Sequence, residues 1–178
     1  MMFRIMTIIG IGGAMALAIA GYFILKTQTN GAADKLACLK NCRIKATLYI
    51  VTLLSIIILA FTGFWATIIT GEPSTGYLLM LHCTAAGGFC LALPLSLIIS
   101  AEKKRFVLGD FSPGLRFVGV SKMCFWIFVL AAIPVILSII LSMFPLLGTA
   151  GQEFLYQTHR FCALLLVMAG LIYLGFSQ

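Results

Sequence analysis

The chain has 178 residues, of which 62% are hydrophobic and only 10% charged, and a mean hydropathy of +1.13. A water-soluble domain is closer to half apolar and a quarter charged, so this composition excludes one and points to a single-domain integral membrane protein in contact with the lipid bilayer. The formal charge of +7 then marks cytoplasmic loops rather than a nucleic-acid surface, and no nucleic-acid partner is expected.

Five apolar stretches are long enough to cross a bilayer as helices: residues 5–25, 46–70, 77–100, 121–145 and 152–175. The expected fold class is all-α. An N-terminal transmembrane helix (1–26) and a basic loop (27–45) lead into a four-helix membrane domain (46–178). The first stretch has the make-up of a secretory leader, with Arg4, an apolar core and small residues in "AMALAIAG". It is expected to be retained as a helix. The basic loop holds Cys38 and Cys42 as a C-x-x-x-C pair. A lone pair is weak ground for a metal site, because a closed zinc site takes four ligands. Cys83, Cys90, Cys124 and Cys162 fall in apolar stretches, where cysteine behaves as a small hydrophobe.

Loop charge sets the expected orientation. Lys26, Lys35, Lys40, Arg43 and Lys45 follow the first span, and Lys103, Lys104, Arg105, Arg116 and Lys122 follow the third. The links "GEPSTG" and "LLGTAGQE" carry no lysine or arginine. Positive loops stay inside, so the N-terminus is expected outside and the C-terminus in the cytoplasm, in a bacterial inner membrane. Spans three and five then both run inward from the outer face.

The chain also repeats itself weakly. At an offset of 77 residues Gly71 meets Gly148, Tyr77 meets Phe154, Leu78 meets Leu155 and His82 meets His159. Spans two and three thus resemble a helical hairpin duplicated as spans four and five.

His82 and His159 are the only histidines. They lie about five and seven residues into spans three and five, roughly 8–10 Å below the outer helix ends at the rise of an α-helix. Ionisable groups in membrane spans are costly and mark functional sites. Two neutral imidazoles at one level across a helical bundle suit the axial positions of a haem iron. Ala86 and Ala163, one turn further on, and Gly63 in "FTGFW" leave room for a flat macrocycle. Arg160 is a candidate partner for a haem propionate, against the plainer role of an interfacial anchor. Met80 and Cys83 neighbour His82 in sequence but point elsewhere around the helix. Two competing readings remain: histidines that only hydrogen-bond between helices, and a magnesium chlorin bound by single histidines.

The stretches "CRIKATLYIVTLLSIIILAFTGFW", "LLMLHCTAAGGF", "SPGLRFVGVSKMCFWIFVL" and "YQTHRFCALLLVMAGLIYL" resemble the cytochrome b subunits of membrane-bound formate dehydrogenases and nickel-iron hydrogenases. The resemblance covers about residues 40–176. It implies a four-helix haem-binding core that passes electrons between a periplasmic module and the quinone pool. That family carries two haems. Here the inner pair of ligands is missing: Ala46 and Thr47 stand where the family has one histidine, and Tyr173 stands near the place of the other. The outer pair, His82 and His159, remains, so one haem b is expected.

The function expected on these grounds is a membrane cytochrome b, an electron-transfer subunit of an oxidoreductase complex rather than a stand-alone enzyme. Its short loops imply a periplasmic partner, a c-type cytochrome or an iron-sulfur protein. Gln152, Glu153 and Tyr156 are outer candidates for a quinone, a second cofactor, although each is also ordinary helix-entry chemistry. The alternatives are a haem-free anchor of a larger respiratory complex and a pigment-binding subunit of a photosynthetic assembly.

Overall fold

A computed structural model describes residues 2–28, 43–69, 71, 73–101, 104–106, 116–144 and 147–176. Within them the protein is all-α: α1 (Met2–Gln28), α2 (Arg43–Ile69), α3 (Gly76–Ser100), α4 (Arg116–Ser142) and α5 (Gly148–Phe176), with no strand among the described residues. All five are long and apolar enough to cross a membrane. Large side chains stand exposed around every helix, among them Ile9, Phe61, Leu91, Leu130 and Phe154. In a chain of this composition those surfaces face lipid, and the protein is an integral membrane protein. The Cys38–Cys42 pair and most of the basic loop 27–45 lie outside the described residues.

The chain forms two compact units. One joins α2 and α3 with Met1–Ile8, and the other joins α4 and α5 with Ile9–Leu25. In the first unit, α2 buries Ser55, Thr62 and Ala66 at helical spacing, and α3 buries Ala85, Phe89 and Ala92. Small residues let the two backbones approach, as membrane helices without a hydrophobic drive between them require. Gly88 is an instance: a Cβ on it would lie 3.2 Å from Ser55 Oγ. At the link, Gly71 takes φ +77, and its N–H reaches the Ala66 carbonyl at 3.2 Å. That left-handed turn satisfies a carbonyl orphaned at the end of α2. The Arg4 guanidinium donates to the Ile68 carbonyl at the same end.

In the second unit, α5 is buried on two sides. Gly170 packs against Phe128 of α4, and Leu164 and Gly175 pack against α1. The α1 contacts run in parallel, Gly10 on Met168 and Leu164, then Ala18 on Gly175. A Cβ on Gly175 would fall 2.5 Å from both Cα and the carbonyl oxygen of Ala18. Only glycine fits where two helix backbones touch in this way.

Several helix ends depart from the expected spans: α4 begins at Arg116 rather than 121, and two more ends differ where α4 gives way to α5. The fourth span ends at Ser142 rather than 145. Pro145 has no N–H to give and disfavours helical φ/ψ at Phe144. The fifth begins at Gly148 rather than 152. Its extra turn places the Gln152 amide against the carbonyls of Ser142 and Phe144, both at 3.4 Å, so that it caps the end of α4.

Candidate functional site

Hydroxyls in these helices bring their own acceptors. Thr52, Thr62, Thr67, Thr84 and Thr158 each donate to the carbonyl four residues back, at 2.7–3.0 Å. Ser138 donates three residues back to Val135, at 2.8 Å. Such back-bonding lets a polar side chain sit in an apolar helix without an outside partner. A histidine has no equivalent local bond, so its ring must find a neighbouring helix.

His82 finds α2. Its Nδ1 lies 2.7 Å from Thr62 Oγ1, and Thr62 is fully buried. The next residue, Gly63, faces the same ring: a Cβ there would stand 3.3 Å from His82 Cε1. Any larger residue would push the imidazole aside. Gly63 therefore makes room for the His82 ring.

His159 finds α4 in the same manner. Its Nδ1 lies 3.3 Å from Ser138 Oγ and 3.3 Å from the Val135 carbonyl. Ser138 is buried. In both hairpins, then, the second helix presents a half-buried imidazole whose Nδ1 sits on a hydroxyl of the first helix. The hydroxyl precedes the histidine by 20 residues in one hairpin and 21 in the other.

The expected depths change. His82 is the seventh residue of α3 but His159 the twelfth of α5, about 9 and 16 Å along their helices. The early start of α5 accounts for the difference. The register that the two hairpins share is histidine against hydroxyl, not distance from a helix start.

Ala86 and Ala163 are half-buried, each four residues beyond its histidine. The Arg160 guanidinium carbon sits 5.1 Å from the centre of the Tyr156 ring, a cation–π contact one turn apart. Gln157 donates to Glu153 at 2.6 Å. Gln152 and Glu153 line, with Gly148 and Thr149, a hollow of about 440 Å³ at the start of α5. Each quinone candidate thus has a contact inside the chain, and two of the three border that open surface hollow. At the other end of the second hairpin, Tyr173 rests against Phe125, ring centres 6.0 Å apart. No group of three or more histidine, cysteine or carboxylate side chains gathers as a metal site among the described residues.

Thr62, Ser138 and Val135 are absent from the expected site. A signal for the hydroxyls existed: Thr62 opens the "TGFW" of the quoted "FTGFW", and Ser138 lies 76 residues on, one short of the repeat offset.

No protein-family model, curated protein or solved structure matches the chain.

Proposed function

We propose that this protein is a membrane cytochrome b subunit that carries electrons between a periplasmic redox partner and the quinone pool. It would hold one haem b, with His82 and His159 as axial ligands, near the outer face. The observation that carries this reading is the matched setting of the two histidines, each with Nδ1 on a buried hydroxyl of the preceding helix. Histidines that bind metal through one ring nitrogen are held at the other by a second-shell acceptor. Gly63 clears the space beside the His82 ring, and the half-buried Ala86 and Ala163 add no bulk one turn beyond. These residues fit a flat, metal-centred group. That both histidines serve one iron rests on the sequence, where two parallel spans carry the only imidazoles at matched positions of a repeat.

A haem held there supplies a one-electron couple whose potential follows its ligands and their burial. The protein's own part is to present neutral imidazoles, exclude water and offer a cation. Arg160 is the residue for a propionate, its charge lying over Tyr156 until then. Gln152, Glu153 and Tyr156 remain the quinone candidates, supported by the hollow that the first two line. The orientation proposed, N-terminus outside in a bacterial inner membrane, follows from the ten basic residues after spans one and three. The partner implied by the short links is a c-type cytochrome or an iron-sulfur protein docking over them.

A reduced-minus-oxidised spectrum with pyridine haemochrome quantitation on the purified complex tests the proposal. One low-spin b haem per chain is expected. Two haems overturn the single site, and none in an assembled preparation leaves a haem-free anchor as the function.

A further inference from the structure

We infer that Thr62 and Ser138 are positioning residues: they lock both histidines in the Nδ1–H tautomer, aim the Nε2 lone pairs at the ligand, and hold His82 more tightly than His159. This rests on the haem-ligand role just proposed, but its core is proton counting on the protein alone.

A hydroxyl has one proton to donate and lone pairs with which to accept. The Thr62 hydroxyl proton points to the Ile58 carbonyl at 2.7 Å, with Leu59 O a longer alternative at 3.4 Å. Thr62 Oγ1 therefore meets His82 Nδ1 as an acceptor, and the proton between them belongs to the ring. Ser138 donates to the Val135 carbonyl at 2.8 Å, so it too accepts from His159 Nδ1. Val135 O is the second group near that nitrogen, and a carbonyl oxygen can only accept. Both networks give one answer. In a neutral imidazole with the proton on Nδ1, the lone pair that binds a metal is on Nε2. Thr62 and Ser138 are buried, so water does not compete for either bond.

The two locks differ in strength. Thr62 holds its ring at 2.7 Å, whereas Ser138 holds its own at 3.3 Å and shares it with a carbonyl. A shorter bond from Nδ1–H pushes more electron density into the ring and makes Nε2 the stronger donor. Removing the Thr62 hydroxyl is therefore the larger perturbation. It would also raise the reduction potential, because a weaker imidazole donor stabilises ferric iron less.

The test uses the full chain with ¹⁵N-labelled histidine. Two residues give two resolved imidazoles, and nitrogen shifts report which atom carries the proton without any haem. Both rings are expected as Nδ1–H. Thr62→Val should move only His82 toward Nε2–H, Thr62→Ser should restore it, and Ser138→Ala should shift His159 less. In haem-loaded protein, Thr62→Val should weaken haem binding about 10–100-fold and raise the midpoint potential, with Ser138→Ala smaller on both. Nε2–H rings in a chain that binds one bis-histidine haem would overturn the lock and spare the haem reading. Nδ1–H rings in a chain that takes up no haem would do the reverse. A Thr62→Val chain with unaltered tautomer, affinity and potential would also overturn the positioning role.

Discussion

The two hairpins hold their histidines alike and differ almost everywhere else. In α2–α3 the ends away from the histidine are joined by a polar bond, Thr52 Oγ1 to Ser96 Oγ at 3.2 Å. In α4–α5 the same ends are joined by aromatic packing, Phe125 on Tyr173 and Phe128 on Gly170. The proline lies in the histidine helix of the first hairpin, Pro94 in α3, and in the hydroxyl helix of the second, Pro134 in α4. Each removes one rung of its helix ladder. What the halves retain in common is the histidine–hydroxyl contact and small residues beyond it. An imidazole in an apolar helix needs such a partner in each hairpin, and on the proposed function the same contact sets the two haem ligands.

The largest effect that would break the equivalence is loss of a ligand. His82→Ala and His159→Ala are each expected to abolish low-spin haem entirely, read from the optical spectrum of chains that still insert. If one variant keeps a low-spin spectrum, the hairpins are not equivalent. Tyr173→Phe keeps the ring on Phe125 and is expected to leave haem content unchanged; loss of haem in it would count against a cofactor held in the histidine half alone.

A second test separates the hairpins by their burden from α1. Gly175 meets the Ala18 backbone, which has no side chain to swing away. Gly175→Leu should therefore cost about 1–3 kcal/mol in detergent unfolding. Gly12→Leu, where a Cβ meets nothing within 4 Å, should cost almost nothing. Gly88→Ala falls between them, since Ser55 can turn its hydroxyl aside.

A smaller effect than that of Gly175→Leu concerns the polar join. Thr52→Val removes one interhelical hydrogen bond, and in membranes such bonds average about 0.6 kcal/mol. Equilibrium unfolding of the Thr52→Val and Ser96→Ala double cycle would measure it. A coupling several times larger would make that join a determinant of the first hairpin.

The five spans were legible because 20 apolar residues have few other uses, and the histidines because charge is costly among them. The ends of α4 and α5 were not. Pro145 was in plain view, but its effect was masked by the apolar "LSMF" before it. "AMALAIAG" was readable as a leader, yet Ala18 in it is the contact for Gly175, and pairings between distant small residues carry no local signal. The hydroxyls were missed for a related reason. Threonine and serine inside an apolar run look like back-bonded filler, and here they are back-bonded. Their second role appears only when the next helix folds against them.

That order has a meaning for synthesis. Thr62 precedes His82 and Ser138 precedes His159. As the chain emerges, each imidazole reaches the bilayer after the helix that bears its acceptor, never before it. The threonine or serine helix can enter lipid alone, since its hydroxyl is already bonded to its own backbone. The histidine helix enters beside a partner already in place. On this account a lone α3 segment should insert less efficiently than the α2–α3 pair in a translocon assay. Each hairpin thus carries its own assembly instruction in the direction of translation, with the group that needs help always arriving second.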